Sequence, residues 1–151
     1  MENRGQLTSA QILFVAGLPG SGKTTLLSGL EKEGWLIFDD FKAGAFFDSS
    51  QFWNAKRYRD LLNSLNAGGK CVIADIDFCN SAPRAEAESV ILAQVPDVAL
   101  SWLFFAPDVK ACLANIERRN RPSKSEDIEA LYRYARLYAV PPGATILAVQ
   151  N

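Results

Sequence analysis

Residues 17–24 read GLPGSGKT, which fits G-x-x-x-x-G-K-[ST] at every fixed position and follows directly on the apolar run of residues 12–16. This segment constrains the chain more than any other, because such a loop belongs between a buried strand and the start of a helix. Gly17, Gly20 and Gly22 allow the backbone to turn with its N–H groups pointing inward, where they can hold phosphate oxygens. A helix beginning near Lys23 adds the positive end of its dipole. Lys23 then supplies a point charge for β and γ phosphates and Thr24 a hydroxyl for Mg²⁺, with Ser21 and Thr25 completing the phosphate-facing set. A glycine-rich turn that had lost phosphate binding would explain the glycines, but not Lys23 and Thr24 together.

The rest of the chain alternates between two hydrophobic periods. Continuous apolar runs at 12–16, 35–38, 71–74, 99–105 and 145–149 predict strands buried on both faces, as in a parallel sheet. Between them, 24–32, 51–65, 83–94 and 108–119 carry apolar residues at three- and four-residue spacing and predict helices. Pro83 suits a first helical turn, Asp108 a cap, and Gly34 and Gly68 helix ends. Ser123 and Glu126 have capping-box spacing for a last helix over 126–138. Repeated strand–helix units imply right-handed crossovers and a doubly wound α/β sheet in one domain spanning 1–151.

Composition excludes several classes. The 151 residues hold 48% hydrophobic and 22% charged residues, so neither disorder nor a disulfide miniprotein is expected. With no histidine in the chain, a His general base, a Ser-His-Asp triad and imidazole zinc sites are all excluded. A net charge of -1 argues against a long nucleic acid as partner. Cys71, Cys79 and Cys112 are too scattered for a disulfide framework or thiolate cage and read as small buried hydrophobes, the pattern of a cytoplasmic protein. The opening MENRGQLTSAQ carries no apolar leader and no later segment is long enough to span a membrane, so no membrane association is expected.

In a doubly wound sheet, ligands sit beyond the carboxyl ends of the strands. The second strand runs into Asp39 and Asp40, and the third into Asp75 and Asp77. A carboxylate beside a bound triphosphate can accept the attacking hydroxyl's proton or hold Mg²⁺. Asp75, directly after CVIA, looks like a Walker B carboxylate and Asp77 a turn or cap residue. Spacing alone does not choose between Asp39 and Asp40 as the proton acceptor.

Taken together, GLPGSGKTTL, a strand closing in DDF, VIADIDF followed by Arg84, and FFAP leading a helix into RRNR resemble the P-loop kinases that include polynucleotide kinases, zeta toxins and chloramphenicol phosphotransferase. The resemblance runs from Ile12 to about Tyr138. It implies a P-loop NTPase fold, a five-stranded parallel sheet in order 2-3-1-4-5 flanked by helices. It further implies transfer of the ATP γ-phosphoryl group to a hydroxyl of a small molecule or nucleotide end. The hydroxyl-activating base of polynucleotide kinases then falls on Asp39, and the charge-stabilising arginines of the lid, here about 118–127, on Arg118, Arg119 and Arg121. Helical periodicity separates the first two: Arg119 continues the stripe of Cys112 and Ile116, while Arg118 is turned about 100° away.

The chain departs from that pattern where lid helices often carry an arginine one turn before the final pair; Ala114 and Asn115 stand there. It also ends at Asn151, short of the adenine-contacting loop and helix usual in such kinases, so base recognition is expected to be weak, absent or shared with a partner, and a homo-oligomer is compatible with this. The segment FKAGAFFDSSQFWNAKRY over 41–58 falls where P-loop kinases commonly form the acceptor pocket, although Phe46, Phe47, Phe52 and Trp53 fit a core equally. Lys42, Lys56, Arg57 and Arg59 lie nearby, and Arg84 is adequately explained by a surface ion pair with Glu88. The sequence has no N-K-x-D segment for guanine, and Ile76 rather than an acid follows Asp75, which disfavours GTPases and motor ATPases. The competing reading is a regulatory protein that binds nucleotide without catalysis or hydrolyses it slowly.

Overall fold

The computed structural model describes residues 10–39 and 56–150. Five parallel strands, β1 Gln11–Ala16, β2 Leu36–Asp39, β3 Lys70–Ala74, β4 Ala99–Phe105 and β5 Thr145–Leu147, form one sheet in the order β2-β3-β1-β4-β5. The described helices are α1 Lys23–Lys32, α2 Lys56–Asn66, α3 Ser81–Gln94, α4 Val109–Arg119 and α5 Lys124–Ala135, with a 3₁₀ turn at Ile76–Cys79. This is the doubly wound α/β sheet expected, in the expected order. No helix among the described residues is long and apolar enough to cross a membrane.

Strand alternation divides the core. Ile12, Phe14 and Ala16 of β1 join Leu61 of α2, Ile91 of α3, Ile116 of α4 and Leu131 of α5 on one face. Leu13 and Val15 meet Leu27 of α1 on the other. Phe14 stacks on Trp102 with centroids 4.5 Å apart, and Phe78 meets both rings edge-on at 5.5 and 5.2 Å. Because β1 is central and buried on both faces, the loop leaving it starts from the most constrained strand of the sheet.

Several boundaries differ from expectation, each for a local reason. β2 starts at Leu36 because Trp35 still donates its amide to Leu30 O at 3.1 Å, behind Gly34 at φ 96°. β5 stops at Leu147 because the following residues turn toward the glycine loop, where Gln150 N donates to Ser21 O at 2.9 Å. The helix expected over 83–94 begins at Ser81, since Asn80 caps it by accepting from Ala82 N. Asp108 caps α4 as expected, accepting from Ala111 N at 3.0 Å. The capping box at Ser123 and Glu126 does not form: the Ser123 hydroxyl donates to the Asp127 carboxylate at 3.0 Å, and α5 starts at Lys124. At its other end α5 stops at Ala135, which leaves Tyr138 free of the helix to turn inward, its hydroxyl 2.5 Å from Phe105 O and 3.2 Å from Ala16 O. The expected helix residues 51–55 lie outside the described residues.

Candidate active site

The loop between β1 and α1 is closed by contacts that leave no room for side chains at its glycines. Gly20 and Gly22 have φ of 82° and 100°, conformations that residues with a Cβ rarely adopt. A Cβ on Gly20 would lie 2.5 Å from the Cys112 carbonyl oxygen, and one on Gly22 2.5 Å from Gln150 Cβ. A Cβ on Gly17 would meet Ser21 Oγ at 2.6 Å. The Ser21 hydroxyl is buried and has no hydrogen-bond partner among the described residues. Lys23 folds back over the loop, donating from Nζ to Gly17 O at 2.7 Å and Leu18 O at 3.3 Å. The ammonium is thereby placed at the mouth of the loop before any ligand arrives.

A cavity of ≈ 160 Å³ opens on this loop, lined by Gly20, Ser21, Gly22, Lys23 and Thr24 on one side and by Arg119, Arg121 and Asp127 on the other. Gly17 forms the base of the loop, and Thr25 is exposed on α1, outside this lining. The split between the arginines follows helix geometry. Arg119 lies on the α4 stripe that faces the loop, whereas the Arg118 guanidinium is bonded to Asn115 Oδ1 and does not line the cavity. Arg121 reaches it because Asn120 takes a left-handed turn at φ 48°, ending α4 and bringing the chain back. Residues 118–127 are therefore mostly helix ends, with only the segment between α4 and α5 as loop.

The carboxylates stand at adjacent strand ends. Asp39 is the last residue of β2, exposed, and its register partner is Ala74, so Asp75 follows one residue further on the neighbouring strand. Ala74 in turn pairs with Val15 of β1, which places Asp39 about 10 Å across the sheet from the strand that feeds the glycine loop. Asp75 is 2% exposed and accepts the Asp77 amide at 2.9 Å, capping the 3₁₀ turn. Asp77, expected as a turn residue, does lie in that turn and also accepts from the Tyr134 hydroxyl at 3.2 Å, joining it to α5. Asp40 and the aromatic segment 41–53, with Lys42, lie outside the described residues. Of its basic flank, Lys56 is exposed and pairs with Asp60 at 2.8 Å.

Two site residues escape sequence reasoning. Asp127 enters the cavity as the acceptor of the Ser123 hydroxyl, a contact that the capping-box pattern assigned elsewhere. Asn115 is 3% exposed and uses its whole amide: Nδ2 donates to Gly20 O at 2.8 Å and Gln150 O at 2.5 Å, and Oδ1 accepts from Arg118. One side chain thus ties together the glycine loop, α4 and the segment following β5. The departure from an arginine at this place was visible in the sequence; its partners were not. Asn115→Ala leaves two carbonyls without their donor and is expected to cost about 2–4 kcal/mol. For a chain of this size that is a fall of about 5–15 °C in Tm, read by circular dichroism; a shift of under about 2 °C would show that the loop does not depend on this hub.

All three cysteines are buried and free. Burial pushes the Cys79 and Cys112 thiols up to about 11, so they remain protonated and unreactive near neutral pH.

No family model matches the sequence, and no curated protein is significantly similar to it. Solved structures do share its fold. A fungal RNA kinase aligns at TM-score 0.62 and 14% identity, over 95% of this chain and 76% of the other. A gluconokinase from Sinorhizobium meliloti aligns at TM-score 0.56 and 14% identity, over 95% and 85%. The APS kinase of Mycobacterium tuberculosis, solved with AMPPNP and APS, aligns at TM-score 0.55 and 19% identity, over 95% and 91%. The fold is that of P-loop kinases.

Proposed function

We propose that this P-loop kinase fold carries an ATP-dependent phosphotransferase, which moves the γ-phosphoryl group to a hydroxyl of a small molecule or nucleotide end. The observation that supports it most is the cavity in which Lys23 and the glycine loop face Arg119 and Arg121, with Asp39 and Asp75 at the carboxyl ends of β2 and β3 in the same sheet. Phosphoryl transfer needs this distribution: donors and cations around the transferring group, and an acceptor for the hydroxyl proton to one side.

The residues present fit a magnesium-bound triphosphate. Positive-φ glycines leave a cradle that a Cβ would fill, and the buried Ser21 hydroxyl still has hydrogen-bonding capacity. Among the described residues no group of three or more Cys, Asp or Glu is gathered as a metal cage. A single carboxylate, Asp75, with the Thr24 hydroxyl matches the way Mg²⁺ is commonly held, mostly by water and substrate phosphates. When bound, Mg²⁺ would neutralise charge on the phosphates. Lys23 would bind the β and γ phosphates, while Arg119 and Arg121 would balance charge on the phosphoryl group in transit. Asp39 would take the proton of the acceptor hydroxyl. Arg118, held by Asn115, would position the lid rather than touch phosphate.

The test is ADP formation by the purified protein, with ATP and Mg²⁺, across a panel of sugars, nucleosides and oligonucleotide 5′ ends. The expected result is turnover that rises with one acceptor class and vanishes on chelation of Mg²⁺. Nucleotide binding with no acceptor-dependent turnover would instead support the regulatory reading.

A further inference from the structure

A second cavity, of ≈ 530 Å³, shares no lining residue with the first and lies between α3, β4 and residues 141–145. Its floor is one face of β4, where Leu100, Trp102 and Phe104 alternate inward over about 13 Å of strand. Arg84 lies at the Phe104 end, its guanidinium 5.1 Å from that ring's centroid.

The electrostatics of Arg84 are incomplete. It is only 8% exposed, yet no carboxylate among the described residues lies within ion-pair distance of it. Nη2 donates to Ala139 O at 3.0 Å, while Nη1 is buried and meets no hydrogen-bond acceptor among the described residues. Glu88, one turn further along α3 and the ion-pair partner expected from the sequence, accepts from Trp102 Nε1 instead. Burial accordingly lowers the pKa of the guanidinium. A buried cation without a counter-charge is unfavourable, and a bound anion would relieve it.

We infer that this groove binds a small aromatic carboxylate, with its carboxylate on Arg84 and its ring against Trp102. A carboxylate takes a charge-assisted hydrogen bond from a guanidinium. A single negative charge suits a site with one cation, where a dianionic phosphate would also face Glu88. Apolar walls from Leu100, Phe104, Pro141 and Pro142 take the ring. This site is independent of the phosphotransfer reading.

The experiment follows the indole N–H resonance of Trp102, assigned with Trp102→Phe, while ¹⁵N-labelled protein is titrated with 2-naphthoate and, separately, its neutral isostere 2-naphthamide. Naphthoate is expected to shift the resonance saturably and to bind at least about tenfold tighter than the amide, the value of a charge-assisted bond. Arg84→Met is expected to remove that preference, and a saturating ATP analogue to leave it unchanged. Equal binding of both probes, or no shift at about 10 mM naphthoate, would overturn the proposal. The comparison of the two probes decides the matter in the unaltered chain even if Arg84→Met does not fold.

Discussion

Lys23→Ala is expected to weaken binding of a non-hydrolysable ATP analogue by about 10²–10³-fold, and to reduce phosphoryl transfer at least as much. The magnitude follows from losing a charge-assisted bond to the phosphates where solvent is partly excluded, about 2.7–4 kcal/mol. The lysine is pre-positioned: its ammonium already donates to Gly17 O and Leu18 O, at 2.7 and 3.3 Å, and an ammonium carries three donors. Little rotamer entropy is then lost on binding, so the free-energy difference is nearly all electrostatic. The same two bonds give the substitution a second consequence. Two loop carbonyls lose their donor, and stability should fall by about 1–3 kcal/mol in the ligand-free chain. Calorimetric titration separates the effects when paired with thermal unfolding: the melting shift reports the loop, the binding constant the phosphate contact. Lys23→Arg should remain defective, because a planar fork cannot replace a compact ammonium over carbonyls this close. Affinity in Lys23→Ala within about fivefold of the parent would mean that phosphate is not bound here.

What could be read before the structure, and what could not, divides by the range of the interaction. The glycine loop was legible because its demand is local: positive φ at Gly20 and Gly22 and a lysine at fixed spacing are properties of eight consecutive residues. Asp108 as a cap and the separation of Arg119 from Arg118 were legible for the same reason, since both depend only on the period of one helix. Asn115 was not, because its partners are Gly20, Arg118 and Gln150, and nothing in the segment around it encodes the first or the last. Ser123 shows a local pattern losing to a competitor: the capping box was available in sequence, but the Asp127 carboxylate accepts the hydroxyl and is drawn into the cavity. Arg84 and Glu88 have helical ion-pair spacing, yet the indole of Trp102 from β4 takes the glutamate. For Asn115 and Glu88 a partner distant in sequence supplied the bond, whereas at Ser123 the competitor stood one residue beyond the capping-box position.

The largest effect on turnover is expected from Asp39→Asn, which should lower kcat by about 10²–10⁴ while leaving affinity for the ATP analogue within about twofold. The asymmetry follows from position. Asp39 closes β2, with β3 between it and the strand that carries the glycine loop, so it stands about 10 Å across the sheet from that strand and does not line the loop's cavity. A carboxylate there can meet an acceptor hydroxyl without contacting the β and γ phosphates. Asparagine keeps the shape and accepts a hydrogen bond, but cannot take the proton, so binding survives and chemistry does not. Asp75→Asn should behave differently. That carboxylate is buried just past the end of the adjacent strand and already accepts the Asp77 amide, so its loss should raise the Mg²⁺ concentration needed for half-maximal turnover. Asp40→Asn completes the set, because the sequence by itself allows either member of the pair to be the base. Loss of turnover in Asp40→Asn and not in Asp39→Asn would move the proton transfer by one residue and keep the mechanism. Unchanged turnover in both would remove a carboxylate base at the end of β2 from the reaction.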